Sequence, residues 1–242
     1  MGIWVGTSGW SYDHWEGVLY DGVRPAQRLA RYTSEFSTVE LNSSFYMWPR
    51  GSAFRSWQQR LPEGFRMSVK APRGLTHARR LLEPEQWVTR ITAGWHDLYD
   101  KRGMLLVQLP PDMERDDARL DHFLGLLPWW MPTAVEFRHP SWTTDEVFDL
   151  LERRQTAYVV MSGADLPCVL RATAPRVYIR LHGPDQHGLY AGSYSDDDLR
   201  RWADRIREWD ASGRDVYAYF NNDGQGFAVR NARTLRAMLG QS

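Results

Sequence analysis

Hydrophobic and polar positions fall into two alternating patterns along the chain. Short runs rich in β-branched and aromatic residues occupy Ile3–Thr7, Thr38–Asn42, Met67–Lys70, Met104–Leu109, Thr133–Arg138, Ala157–Met161, Val177–His182 and Val216–Asn221. Their length and composition predict eight strands. Between them, apolar residues recur every three or four positions. This holds for Leu29, Tyr32 and Phe36 in Gln27–Phe36, and for Trp87, Ile91, Trp95 and Leu98. It holds again for Leu120, Phe123, Leu124 and Leu127, for Val147, Leu150 and Leu151, for Trp202, Ile206 and Trp209, and through Val229–Leu239. That spacing predicts helices with one buried face. Thr144 with Glu146, and Ser195-Asp196, supply N-cap chemistry ahead of two of them. Ser162–Pro175, after the sixth strand, has no helical period and reads as an irregular loop.

Strands alternating with helices imply an α/β fold with a parallel sheet. Eight such units in 242 residues match a (β/α)8 TIM-type barrel, here a single domain over 1–242 with the helix after strand six weak or missing. A doubly wound sheet is the competing architecture. Gly6-Thr7-Ser8-Gly9 is too short for its dinucleotide fingerprint and lacks the third glycine.

Parity within the strands carries the chemistry. Val39 and Leu41 oppose Glu40 and Asn42; Val135 and Phe137 oppose Glu136 and Arg138. Val177, Ile179 and Leu181 oppose Tyr178, Arg180 and His182; Val216, Ala218 and Phe220 oppose Tyr217, Tyr219 and Asn221. Lys70 and Gln108 end strands three and four on the same logic. Side chains alternate across a strand, and helices must cover the outer face, so the polar set is expected to line the barrel interior. It gathers toward the strand C-termini, the end where such barrels hold their active sites.

The same residues carry a family resemblance. Gly6-Thr7-Ser8-Gly9-Trp10-Ser11-Tyr12, Thr38-Val39-Glu40-Leu41-Asn42 with Phe45-Tyr46, Val69-Lys70-Ala71 with Thr76-His77, and Gln108-Leu109-Pro110-Pro111 form its first half. Glu136-Phe137-Arg138-His139 with Ser141-Trp142, Tyr178-Ile179-Arg180-Leu181-His182-Gly183, and Tyr219-Phe220-Asn221-Asn222 with Asn231-Ala232 form the second. In this order they resemble the YecE-like family, also called domain of unknown function seventy-two. The resemblance covers nearly the whole chain. It implies a TIM-type barrel and leaves the activity open.

Lys70, Arg138 and Arg180 face Glu40 and Glu136 in the expected mouth, an excess of one positive charge to which Arg73, His77, His139 and His182 can only add. Such a balance suits an anionic ligand, because guanidinium forks match phosphate and carboxylate. Glu40, Lys70, Glu136 and His182 are the candidate catalytic groups, with a carboxylate as base and His182 or Lys70 as acid. Asn42, Tyr46, Arg73, His77, Gln108, Arg138, His139, Trp142, Arg180, Asn221 and Asn222 are the candidate ligand contacts, the aromatics offering stacking surfaces. The reading is acid/base chemistry of hydrolase or lyase type on a phosphate-bearing ligand, a nucleotide or nucleic-acid fragment. A non-catalytic binding module and an inert plug of ion pairs are the competing readings. No cofactor is required; a divalent metal, if used, would take Glu40, Glu136, His182 and Asp223, as in a metal-dependent hydrolase resembling abasic-site endonucleases at fold level. His182 with Asp185 and His187 is a loop spacing of low specificity for metal.

Composition trims the alternatives. Thirty basic and thirty acidic side chains cancel, so long-range attraction does not carry the chain to DNA or to an anionic membrane. Only Lys70 and Lys101 among the basic residues are lysine; nucleotide bias in the gene accounts for most of this, and Lys70 is expected to mark a place where a guanidinium does not substitute. Ser8 and Cys168 have no base partner nearby in sequence and are passed over as nucleophiles. The single Cys168 excludes an internal disulfide framework and fits a reducing compartment. With no apolar run long enough to span a membrane and no secretory leader, a cytoplasmic location is expected.

Overall fold

In the computed structural model, which describes residues 2–184 and 188–241, all eight strands are present. They are β1 (Ile3–Ser8), β2 (Thr38–Leu41), β3 (Arg66–Lys70), β4 (Arg102–Gln108), β5 (Thr133–Glu136), β6 (Ala157–Ser162), β7 (Arg176–Leu181) and β8 (Asp215–Phe220). The described pairings are parallel, and the strands close in sequence order as a barrel. The helices are α1 (Arg28–Thr33), α2 (Ser43–Tyr46), α3 (Gly51–Arg60), α4 (Glu85–His96), α5 (Asp117–Leu126), α6 (Asp145–Arg153), α7 (Asp196–Ala211) and α8 (Phe227–Met238). Among the described residues no helix lies between β6 and β7, as expected. This is the TIM-type α/β fold.

Five strands stop short of their predicted ends, β2 and β4 by one residue each, at Leu41 and Gln108, and β5, β7 and β8 as well. Arg138, His182 and Asn221 keep the strand's facing pattern, but the ladders end at Glu136, Leu181 and Phe220. Helices α2 and α3 have no counterpart in the hydrophobic pattern. In α3 the apolar residues are Ala53, Phe54 and Trp57, too few to set a period. One lysine helps to end it: the Lys101 ammonium donates to the carbonyls of Gln58 and Leu61, the carbonyl-rich end where a compact cation is favoured.

The chain divides into two compact units, one formed by the residues up to Glu40, Val160–Leu170 and the part from Arg176 on, the other by Leu41–Val159 and Arg171–Pro175. In the first unit, Val5, Val177, Ile179, Leu181, Val216, Ala218 and Phe220 are fully buried, as the parity argument requires of the helix-covered face. Trp4 stacks on Tyr217 at 4.7 Å and Tyr178 lies 5.2 Å from Tyr219, a layered filling of the kind that makes such barrels solid. The Tyr32 hydroxyl of α1 accepts from Thr7 N at 3.0 Å and donates to Thr38 O at 2.9 Å. Gly6 permits this approach, since a Cβ there would lie 2.3 Å from the Thr38 carbonyl oxygen.

In the second unit, Leu105, Leu106, Val107, Val135 and Phe137 are fully buried. Capping departs from expectation at one helix. Ser195 and Asp198 form a reciprocal capping box on α7, but Thr144 at the start of α6 makes no side-chain cap; its hydroxyl accepts instead from Arg115 Nη1 at 2.8 Å.

Tyr32→Phe leaves the buried Thr7 N–H donor and the buried Thr38 carbonyl acceptor without their shared hydroxyl. It is expected to lower stability by about 1–3 kcal/mol, read as a lower urea midpoint at unchanged slope.

Candidate functional site

In the first unit, Glu40 lies in β2, one residue before the strand ends, with no exposed surface. Ser8, opposite it in the β1–β2 register, donates its hydroxyl to Oε1. Tyr178 Oη donates to Oε2 at 2.8 Å. Arg180 spans both oxygens, Nε to Oε2 at 2.9 Å and Nη2 to Oε1 at 2.7 Å. Four donors fill the four acceptor positions of an ionised carboxylate, so Glu40 has no lone pair left with which to act as a base. Burial, with the carboxylate second, pushes the Tyr178 phenol well above its ordinary value, so it stays a donor. Neither Ser8 nor Tyr178 is among the candidate site residues that the sequence suggests. Ser8 lacks a base nearby in sequence, yet its partner stands 32 residues away.

Above this cluster, fully buried His182 places Nδ1 3.1 Å from Asn221 Nδ2. With the amide donating, Nδ1 accepts and the imidazole proton sits on Nε2. Asn222 turns away from any such group: its amide donates to Gly192 O and Asn231 Oδ1 at 2.9 and 2.8 Å, tying down the loop before α7. Asp223 is also separate. It accepts from Trp15 Nε1 at 2.6 Å and meets His14 Nε2 at 2.9 Å, and burial raises its carboxyl above the usual range. His14 was not foreseen.

In the second unit, Glu136 ends β5, fully buried. Gln108, aligned with it in the β4–β5 register, donates to Oε1 from Nε2 at 2.5 Å, and Arg138 Nε donates to the same oxygen. Half-buried Lys70 ends β3 with its ammonium 4.2 Å from the centre of the Phe45 ring. His77 meets that ring edge-on at 4.9 Å, and Tyr46, the next residue of α2, meets it edge-on at 5.2 Å. Tyr46 is 81% exposed. Burial, then the charges of Lys70 and Arg73, hold the His77 imidazole below its usual value, partly offset by Asp112 and Glu136. Arg73 is exposed.

His77 rides on a single π-helical turn, Gly74–Ala78, closed by Arg79 N to Gly74 O at 3.0 Å. Arg80 and Leu81 follow at φ of 50° and 62°, a left-handed conformation that non-glycine residues adopt at a cost. Asn42 sits at the N-cap position of α2, its carbonyl accepting from Phe45 N at 3.0 Å.

Two of the expected ligand contacts have structural work instead. Trp142 is fully buried, stacked on Phe137 at 4.8 Å with its indole N–H on Met113 O at 2.8 Å. It is part of the packing and offers no stacking face. His139 Nδ1 accepts from Ser141 N at 3.3 Å, capping the short helical turn that carries Trp142. The conditional metal set of Glu40, Glu136, His182 and Asp223 is not assembled: among the described residues no three His, Cys, Asp or Glu side chains gather to hold an ion. Asp185 and His187 lie outside the described residues. Among the described residues, no helix is long and apolar enough to cross a membrane.

Known proteins match this chain along its length. The sequence model of the family described as "Protein of unknown function DUF72" matches residues 4–242. UPF0759 protein YunF of Bacillus subtilis is 25% identical, covering 98% of this chain and 94% of its own length. UPF0759 protein YecE of Escherichia coli is 29% identical over 57% of this chain and 49% of its own length. The crystal structure of a DUF72 family protein from Thermotoga maritima superposes with a TM-score of 0.90 at 28% identity, over the whole of both chains.

Removing one partner of the Glu40–Arg180 fork leaves the other charge buried alone. Glu40→Gln and Arg180→Met are each expected to cost about 3–5 kcal/mol, and the double variant less than their sum. Urea unfolding of the three variants measures it; additive or negligible losses would remove the fork from the account.

Proposed function

We propose a ligand site at the ends of β3, β4 and β5 for this chain, which belongs to the family described as protein of unknown function DUF72. The site binds a phosphate-bearing ligand, a nucleotide or nucleic-acid fragment, and acts on it by acid/base chemistry of hydrolase or lyase type. One observation carries this reading: Lys70 and His77 converge on a single aromatic ring, and burial, then the charges of Lys70 and Arg73, hold the His77 imidazole below its usual value. The carboxylates nearby already have donors of their own, Glu136 from Gln108 and Arg138, and Asp112 from Arg80. Arg73 makes no ion pair among the described residues. Four cations, Lys70, Arg73, Arg80 and Arg138, stand against two carboxylates, Glu136 and Asp112, so the charge balance is cationic and a phosphate dianion would offset it.

Tyr46 supports a nucleotide over a bare phosphate. It presents an exposed ring beside the cations, and base–aromatic stacking contributes about 1–3 kcal/mol per base. The strained backbone after the π turn also supports a site here, since such strain persists where the surroundings over-determine it. In the chemistry we assign, neutral His77 accepts a proton from the attacking or departing group and the Lys70 ammonium donates one. Glu40 is a framework group. A cytoplasmic setting suits the lone exposed thiol of Cys168.

The test uses adenosine monophosphate, inorganic phosphate and adenosine as calorimetric probes. The monophosphate is expected to bind best and adenosine worst, with Lys70→Met and Arg73→Ala each weakening the monophosphate by about tenfold or more. The His77 midpoint, followed by proton NMR, lies below 6.5 in the unliganded protein and rises on adding phosphate or in Lys70→Met, because a cation is neutralised or removed. Adenosine binding as tightly as its monophosphate, or indifference to Lys70→Met, would refute the site. Loss of turnover of phosphate-bearing nucleotides in His77→Gln with binding retained separates catalysis from capture.

A further inference from the structure

Arginines gather where the end of α1 and the last turns of α8 come together. Glu35, just beyond α1, is their shared partner. Arg233 forks its carboxylate, Nη2 to Oε2 at 2.9 Å and Nε to Oε1. Arg31 Nη2 stands 3.4 Å from Oε2, and Arg236 Nη1 donates to the Glu35 carbonyl. Burial pushes the Glu35 carboxyl up, and Arg233, then Arg31 and Arg236, more than offset it, holding the group below its usual range. One turn earlier on α8, exposed Arg230 donates to Gln225 O at 3.2 Å and makes no ion pair among the described residues. Four guanidiniums thus stand against one carboxylate. Asp204 of α7 leaves that balance unchanged, because Arg207 meets it at 2.7 Å while donating to Met238 O at the end of α8.

The spacing suits a chain of phosphates. Arg230, Arg233 and Arg236 recur every three residues, so each neighbours the next on the helix, and the row covers about 9 Å of its axis. A single phosphate meets one or two such forks; successive phosphates of one strand meet the whole row. Arg236 lies 5.5 Å from the centre of the Phe36 ring and Arg230 5.9 Å from that of Phe227, aromatic supports that hold a planar guanidinium for bidentate contact.

No apolar anchor accompanies the cations. Of the large hydrophobic residues that are exposed among the described residues, none lies on α1 or α8. A protein partner draws most of its affinity from anchors buried at the centre of an interface, whereas a nucleic-acid backbone is held by charge alone. The chain is neutral as a whole, so the attraction is local and strongly screened by salt.

We infer that this arginine row binds the sugar–phosphate backbone of a nucleic-acid strand without reading its bases. It shares no residue with the proposed β3–β5 site, and the two readings stand or fall separately. The test is fluorescence anisotropy of a labelled oligothymidylate of about 12 nucleotides on the full chain, repeated in Lys70→Met so that the β3–β5 site does not contribute. In both backgrounds Arg31→Ala and Arg230→Ala are each expected to weaken binding about threefold or more and to flatten the plot of log affinity against log salt by about 0.7. Calorimetric binding of adenosine monophosphate to the chain with Lys70 intact stays unchanged in both variants. Glu35→Gln is expected to strengthen oligonucleotide binding, because it removes the one opposing charge, and polyglutamate to compete far more weakly than unlabelled oligonucleotide. Thermal melts establish that each variant is folded. No binding at low salt, unchanged affinity and slope in Arg31→Ala and Arg230→Ala, weaker binding by folded Glu35→Gln, or polyglutamate competing as well as the oligonucleotide would overturn the inference.

Discussion

A carboxylate with no exposed surface must be met by as many donors as it has lone pairs, or the strand that carries it cannot stay buried. Glu40 meets this demand with Ser8 from β1 and with Tyr178 and Arg180 from β7. Those partners have to arrive at one height. The β1–β2 register that sets Ser8 beside Glu40, and the alternation that puts Tyr178 and Arg180 on the same face of β7, are what make the fork possible. A one-residue slip of either strand would turn its polar side chain outward and leave the charge alone. Such a fork adds little net stability over apolar packing, but it penalises every register except one.

The other unit uses the same device at Glu136, with Gln108 aligned across the β4–β5 ladder and Arg138 two residues on. Within its own unit, each carboxylate and its guanidinium form a fixed pair. What the pairs leave responsive is the set of groups around Phe45: an ammonium on the ring face, an imidazole on its edge, and an exposed arginine whose charge both imidazole and ligand would feel. Fixed neighbours and a titratable centre are the division that acid/base sites require.

The strands, their order and the direction of their polar faces were legible because a closed sheet covered by helices imposes a strict period of two. The outer residues had to be apolar, and Glu40, Glu136 and Arg180 could only point inward. The missing helix after β6 was legible for the same reason, since Ser162–Pro175 offers no apolar face to bury. Partners distant in sequence were not legible. Ser8 was passed over for want of a neighbouring base, and Tyr178 was grouped by parity with Arg180 without a role. Trp142 and His139 follow β5 and therefore suggested a ligand contact, but packing on Phe137 and a capping bond to Ser141 claim them. Asn222 lies beside Asn221 in sequence, yet the turn directs its amide into the loop before α7. The two lysines have contacts that no sequence pattern announces: Lys101 caps α3, where two carbonyls converge on a compact ammonium, and Lys70 sits on an aromatic face.

Diffraction from crystals soaked in adenosine monophosphate tests the central claim most directly. The account predicts phosphate density within hydrogen-bonding distance of Lys70 Nζ and the Arg73 guanidinium, with the adenine ring against Tyr46 and the Glu40–Arg180 fork unmoved. A nucleotide bound elsewhere, or one that displaces Arg180 from Glu40 to reach its phosphate, would contradict it.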